Sequence, residues 1–447
     1  MNYNEFLDIY FSNLSLFLTC GFISIILCFY SVNFISIAGI TDPIHFFWTY
    51  TLGTTYSIII GLFILGYISN DIIILIGISI VSLLLSIYIG YAFKINLLKH
   101  PINFIIEYNN GYRLFKILLF LMCAFYTVII YKVGFSIFSE VNRFEQNKGI
   151  GPLVRVVDAI RPFVLSYMAI YIGVYTKGYK KIIYNSILIS LIIVSSLSNG
   201  AKFALLEIVY AISACFILYR GHRLKVSMKR LIKIFSIFLV VFSFALIATN
   251  YAIKAKGENM KPQFLPENTP IAIEKIYLRT LSNGDQAYLG LPNEIINKIP
   301  TGNIIYNFTS SMIGKEKFKN IFGINDNLNN VGQKILLFHF PDYDQAGGPV
   351  SHFDLYFYHY LPIGLNYIAI FVLGLVLVSI VNCKVLAKGN IFISALISTL
   401  WIRGLVMILE PAMGFVYILD FLFIIFFITL ITIILPKKRK KDFINVK

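Results

Sequence analysis

Stretches of about twenty residues almost free of charge recur along this chain, near 14–38, 45–68, 72–93, 114–133, 158–176, 182–198, 202–219, 231–252, 361–383, 390–409 and 415–436. A helix needs about 20 apolar residues to cross a hydrocarbon core about 30 Å thick. Within that core every backbone N–H and C=O must be bonded inside its own segment, which a helix achieves and an irregular chain does not. The pattern predicts an all-α polytopic membrane protein with about eleven transmembrane helices. Polar punctuation at Ser69-Asn70-Asp71 and Ser198-Asn199-Gly200 separates neighbouring spans. The connection at 39–44 carries no basic residue, which leaves a twelve-helix arrangement open. Composition agrees: 58% of the residues are hydrophobic and 13% charged, about half the roughly 25% charge of soluble domains, and this excludes a cytosolic enzyme.

Short cytoplasmic loops carry an excess of Lys and Arg. The tail Lys437-Lys438-Arg439-Lys440-Lys441 therefore sets the C-terminus in the cytoplasm. Counting back puts Lys384 and Lys388 on the same side, then Arg220, Arg223, Lys225, Lys229, Arg230 and Lys233, then Lys177, Lys180 and Lys181, then Lys94, Lys99, Arg113 and Lys116. The other side receives the turn at 198–200, the loop at 134–157, the stretch 253–360 and an N-terminus that carries Glu5 and Asp8 but no Lys or Arg. That start is unlike a cleavable signal peptide. Much of the formal net charge of +16 then reflects topology, and no nucleic-acid partner is expected.

The chain divides into helices one to eight (1–252), a hydrophilic insertion (253–360), helices nine to eleven (361–436) and a basic tail (437–447). The insertion is predicted to be partly helical. Thr269-Pro270 is a helix start, followed by the apolar face Ile271, Ile273, Ile276, Tyr277 and Leu278; Leu291-Pro292 opens another segment, and Gly347-Gly348-Pro349 breaks the chain before a third. The insertion contains no cysteine, so it offers neither a disulfide nor a CxxC metal site. Its Asn, Gly, Asp and aromatic content suits a surface that meets sugars as well as it suits an ordinary polar loop.

Several charges sit where topology does not explain them. Arg155, Asp158 and Arg161 follow at i, i+3 spacing into helix five and share one face. Lys202 lies in the first turn of helix seven. Both helices would begin at the outer surface, where the helix dipole disfavours a cation. A bound phosphate-like anion resolves that conflict, as do ion pairs with Asp158 or with lipid phosphates. Arg403 lies inside helix ten, seven residues before Glu410, so the two are expected on one face. An intramembrane Arg either lines a cavity or snorkels beside Trp401.

In the insertion, Arg279 heads the segment RTLSNGDQAYLG, which contains Asp285. Beyond Gly348 runs SHFDLYFYHYLPIG. A helix over 349–360 would place His352 and His359 on one face about 10 Å apart, too far to share one metal. His352 with Asp354 is a candidate catalytic pair, and packing at a bilayer edge is the alternative for His359. Asp342-Tyr343-Asp344 forms a DxD, a spacing some glycosyltransferases use for a divalent ion, but sugar nucleotides are absent outside the cytoplasmic membrane.

Taken together, these features resemble the Wzy family of O-antigen and oligosaccharide repeat-unit polymerases. The likeness rests on about eleven spans, the inside-positive map, two outward segments of which the second is long, and arginines in both. RTLSNGDQAYLG, with Gly290 eleven positions after Arg279, is similar to the Arg-x10-Gly pattern of some members. The first outward loop has no counterpart, since Val154 stands eleven positions after Arg143 and Ile172 after Arg161. The related O-antigen ligases carry a His-Asn pair near the end of their large loop, where this chain has His352-Phe353-Asp354.

The resemblance implies a GT-C type glycosyltransferase of the bacterial inner membrane, with the large loop periplasmic. It would act without cofactor or metal on undecaprenyl-diphosphate-linked glycans as donor and acceptor. Membrane lipids and a chain-length regulator (co-polymerase) protein are the further partners implied. Arg155, Arg161, Lys202 and Arg403 would bind the diphosphate. Arg279 would act at the reaction centre, with His352, Asp354, Asp285 and Glu410 as candidates to accept the acceptor's proton. An O-antigen ligase is one alternative. A flippase for the same lipid-linked glycans is another, although transporters of that kind are usually built from internal repeats and none is visible here.

Overall fold

The computed structural model describes residues 1–108, 111–134, 149–199, 202–221, 262–266, 268–324, 328–343 and 348–434, with Ser236 and Ser243 singly. Among these the fold is all helical, with no strand. The first helix, α1 (Tyr3–Ser12), opens on a capping box in which Asn2 and Glu5 each bond the other's backbone N–H. Then come α2 (Leu14–Val32), α3 (His45–Ile64, π-helical over its first part), α4 (Asn70–Ala92), α5 (Lys99–Tyr108), α6 (Gly111–Val133), α7 (Gly151–Tyr175), α8 (Gly178–Asn199) and α9 (Lys202–Arg220). After the gap lie α10 (Ile271–Leu281), α11 (Asp285–Gly290), α12 (Ile304–Ile313), α13 (Lys315–Phe322), α14 (Val331–His339) and α15 (Phe353–Tyr360). The last three are α16 (Leu365–Asn382), α17 (Ile391–Leu409) and α18 (Pro411–Ile434).

Eight of the described helices are long and apolar enough to cross a membrane: α2, α3, α4, α6, α8, α16, α17 and α18. The chain is a helical, multi-pass membrane protein. Of the three other expected spans, those at 158–176 and 202–219 are the helices α7 and α9, which carry Asp158 with Arg161 and Lys202 with Glu207. The span expected at 231–252 lies outside the described residues, as do the tail 437–447 and most of the loop 134–157.

The bundle is organised around α17, which is buried along almost its whole length among α7, α9, α16 and α18. α2 and α3 form an antiparallel pair, with Trp48 donating to Ser31 at one level and Gly61 lying against Phe17 at the other. α4 and α16 run parallel, Ser82 midway along α4 donating to Tyr367 O near the start of α16 and Asn382 donating to Gly90 O near the ends of both. Their seam closes at Gly374, where a Cβ would lie 1.9 Å from Ser86 Oγ. Without a hydrophobic drive between helices in lipid, such small-residue contacts let backbones approach closely enough to gain dispersion energy.

The two ends of the bundle differ in charge. At one end the short connections meet: Gly389 N–H bonds Tyr219 O at 2.9 Å, Lys384 Nζ reaches Tyr91 OH, and Lys388 lies against Gly221. Tyr112 stacks on Tyr171, which brings the Arg113 and Lys116 turn of α6 to the α7 terminus before Lys177. Lys94, Lys99, Arg220, Lys384 and Lys388 therefore share this end. At the other end lie α1 and the helices α10 to α15. Phe6 stacks on Tyr288 at 4.0 Å, Tyr10 OH bonds Tyr277 OH, and Glu274 accepts three consecutive N–H groups of residues 263–265. The segment before α16 is thus a folded cap on the bundle.

Candidate functional site

Where cap meets bundle, residues 348–354 are wedged between α14, α17 and α3. Asn330 caps α14 by accepting Gln333 N–H, and Ser351 Oγ accepts Gly332 N–H at 2.9 Å. Only glycine fits at 332, because a Cβ there would meet Pro349 O at 1.9 Å. From the membrane side comes Glu410, the single residue between α17 and α18. Its backbone leaves helical geometry, with φ −153° and ψ 85°, and Pro411 opens the next helix, so the chain turns sharply and aims the carboxylate at the cap. Glu410 accepts from Ser351 N–H at 3.0 Å and from the Asn330 amide at 3.4 Å. Next in the chain, His352 donates its own N–H to Gln286 Oε1 at 2.9 Å. Asp354 accepts from Tyr56 OH at 3.1 Å and from Leu355 N–H.

The His352 side chain is 0% exposed, and neither ring nitrogen has a hydrogen-bond partner. Buried polar atoms are nearly always bonded, so an imidazole with both nitrogens unmet calls for an explanation. Burial pushes its pKa down to about 3, which keeps it neutral at pH 7. Burial has the opposite sign on the acids. Asp354 rises to about 6 against the bonds from Leu355 and Tyr56, and Glu410 rises to about 7 against those from Ser351 and Asn330 and the charge of Lys315. On the rim, Asp285 is raised to about 6 by burial, held back by Tyr288 OH at 2.5 Å and by the nearby charge of Arg279. Arg279 itself is exposed and bonds only Ser282 Oγ at 3.3 Å among the hydrogen bonds described.

About two helical turns along α17 from Glu410 lies a second polar cluster. Glu207 on α9 bridges two arginines, accepting from Arg161 of α7 at 2.5 Å and pairing with Arg403 of α17 at 2.9 Å. Arg161 also holds Asp158 at 2.8 Å. Arg403 donates to the carbonyl of Asp158 and lies over the Tyr417 ring. Pro162 explains that carbonyl: it stands four residues after Asp158, where a helix would supply an N–H, and proline has none. The side chains of Arg161, Glu207 and Arg403 are 4%, 3% and 6% exposed, while that of Asp158 is 30% exposed and forms the open edge. Arg155 is held elsewhere, by Asp420 of α18 and by the Ser311 and Met312 carbonyls that end α12.

The fold therefore gathers His352, Asp354 and Glu410 at one junction, with Asp285 and Arg279 at its rim, and brings Arg161 and Arg403 together on one carboxylate. It does not pair Arg403 with Glu410. The helix break at Glu410 turns that carboxylate to Ser351, and Arg403 faces Glu207 instead. Nor do His352 and His359 share a helix face. The helix begins at Phe353, leaving His352 before it, and His359 lies 3.3 Å from Lys334 Nζ. The Lys202 side chain and Asp344 lie outside the described residues; Asp342 is exposed. No group of three His, Cys, Asp or Glu suited to a metal occurs among the described residues.

Glu207, Tyr56, Gln286 and Pro162 belong to these clusters and do not stand out as site residues in the sequence. A lone carboxylate inside the apolar run of α9 and a proline directly after Arg161 were the available signals. The fold and its junction define the class: a helical membrane protein whose folded cap seals buried ionisable groups against the bundle. Beyond that class the comparisons add nothing, since no family model, no curated protein and no solved structure matches this chain.

Proposed function

We propose that this chain is a membrane glycosyltransferase of the Wzy type, of GT-C architecture, which joins undecaprenyl-diphosphate-linked repeat units into a surface polysaccharide. The observation that carries the reading is the buried, unbonded imidazole of His352 at the junction of cap and bundle, where Asp354 and Glu410 are buried as well. Segregation of the basic connections to the opposite end supports a cytoplasmic basic face and a periplasmic cap.

In this reading a hydroxyl of the acceptor glycan attacks the anomeric carbon of the donor. The new glycosidic C–O bond forms as the bond to the diphosphate breaks, and undecaprenyl diphosphate leaves with the electron pair. His352 accepts a hydrogen bond from the hydroxyl on a ring nitrogen that has no other partner, and Glu410, whose carboxyl pKa lies at about 7, takes the proton. Arg161 and Arg403, with Arg155 and Lys202 nearer the helix ends, stabilise the charge that develops on the diphosphate. Asp354 and Asp285 position the junction through Tyr56 and Tyr288. Arg279 neutralises charge at the rim, and the step needs no metal.

Deletion of the gene tests the reading in cells. The expected result is lipid A-core bearing at most one repeat unit, with the long-chain ladder lost on a gel. A surviving ladder with lipid-linked units stranded in the cytoplasmic leaflet would point to a flippase, and accumulated polymer not transferred to lipid A-core would point to a ligase.

A further inference from the structure

The Arg161–Glu207–Arg403 cluster has more donors than its acceptors can satisfy. Two guanidinium groups supply ten N–H bonds in fixed planes. Their hydrogen-bonded acceptors are the Glu207 carboxylate, one Asp158 carboxylate oxygen and the Asp158 carbonyl. The Nε–H groups of Arg161 and Arg403 are both buried and have no partner. The Tyr126 hydroxyl, on the helix that packs against α7, is buried beside Arg161.

As a purely structural device this arrangement is poor. Apolar side chains of similar volume would hold three helices together without the desolvation cost of three buried charges. Intramembrane ions in such a setting mark a functional cavity. One monoanionic carboxylate fixed between two guanidiniums is the arrangement that a phosphoanhydride would meet with more charge and more oxygens. Planar bidentate donors favour it.

We infer that Glu207 is a resident counter-anion in an oxyanion site formed by Arg161 and Arg403, and that a diphosphate displaces its carboxylate when it binds. The inference rests on the reading of the substrate as a polyprenyl diphosphate. It adds that the protein competes with its own substrate: Glu207, with Asp158, neutralises the two guanidiniums, and ligand enters along the Asp158 edge. Exchange of one anion for another avoids ever leaving two buried cations unpaired.

The test is binding of inorganic pyrophosphate and of geranyl diphosphate to the purified protein in lipid nanodiscs, by calorimetry. Glu207→Gln removes the competing charge and keeps the shape, so pyrophosphate should bind about tenfold more tightly than to wild type, and Arg403→Gln should bind it at least tenfold more weakly. If Glu207→Gln does not fold, Glu207→Asp withdraws the carboxylate by one methylene and should give a smaller gain. Unchanged or weakened binding in whichever of these two variants folds would overturn the inference. Tighter binding of geranyl diphosphate than of pyrophosphate is expected; equal affinities would overturn the lipid-linked assignment of the ligand. The readout does not depend on turnover. A Glu207→Gln gain in a protein that never elongates glycan would leave this inference standing and remove the polymerase reading, and elongation without any gain would do the reverse.

Discussion

His352 is fully buried and makes no side-chain hydrogen bond, while its neighbours Ser351 and Asp354 are both bonded into the bundle. A residue kept only for packing would be cheaper as an apolar side chain, because burying an unbonded polar group costs about 1–3 kcal/mol. His352→Ala is therefore expected to leave membrane abundance and melting temperature close to wild type while lowering elongation rate by about 10²-fold or more, the scale of effect expected when the group that orients the attacking hydroxyl is lost. Glu410 gives a prediction of different sign. Its pKa rises from an ordinary 4.5 to about 7 on folding. The folded state thus holds this proton more tightly than the unfolded chain does, and the resulting stabilisation is full below about pH 4.5 and lost as pH rises through about 7. Asp354 and Asp285, raised to about 6, act in the same direction. His352 acts oppositely, its contribution being present above about pH 6.5 and lost as pH falls towards 3. Between about pH 5 and 8 the melting temperature of wild type should fall relative to Glu410→Gln; parallel curves would show that the carboxyl carries no buried proton.

At the scale of helices, the seam between α4 and α16 depends on Gly374, whose Cβ position lies 1.9 Å from Ser86 Oγ and 3.0 Å from Leu83 O. Gly374→Leu should separate the two helices and cost about 2 kcal/mol or more, seen as loss of a monodisperse detergent-purified species. The spans and their ends were largely legible in sequence, because lipid demands long apolar runs and polar residues such as Ser69 and Asn390 mark where helices start. The folded helices of the insertion were legible too, from Pro270 and the apolar face after it. Cross-helix pairing was not. Spacing along α17 puts Arg403 and Glu410 near one face, but the non-helical backbone at Glu410 breaks the helical phase, and the partner of Arg403 comes from another helix. Which carboxylate meets which guanidinium is decided by three-dimensional packing that one sequence does not encode. The same holds for Tyr56 and Gln286, which are unremarkable in their own runs and meet 352–354 only in the fold.

For the whole molecule, the separation of the basic connections from the cap gives the orientation a direct check. In a cysteine-less background, Lys388→Cys should react with a membrane-impermeant maleimide only from the cytoplasmic face and Lys298→Cys only from the periplasmic face. The reverse labelling would invert the proposed topology and remove the cap from the compartment where lipid-linked repeat units are joined. The fold class was readable from hydrophobic runs alone, whereas the proposed activity depends on how the cap closes over His352 and on what the arginines hold. The most direct measurement is elongation of purified lipid-linked repeat units by the purified protein, run with and without a chelator. The account predicts a ladder of lengthening lipid-linked glycan, release of undecaprenyl diphosphate, no effect of the chelator and no ladder with His352→Ala. Units that remain single with the wild-type protein, correctly oriented and supplied with both donor and acceptor, would contradict it.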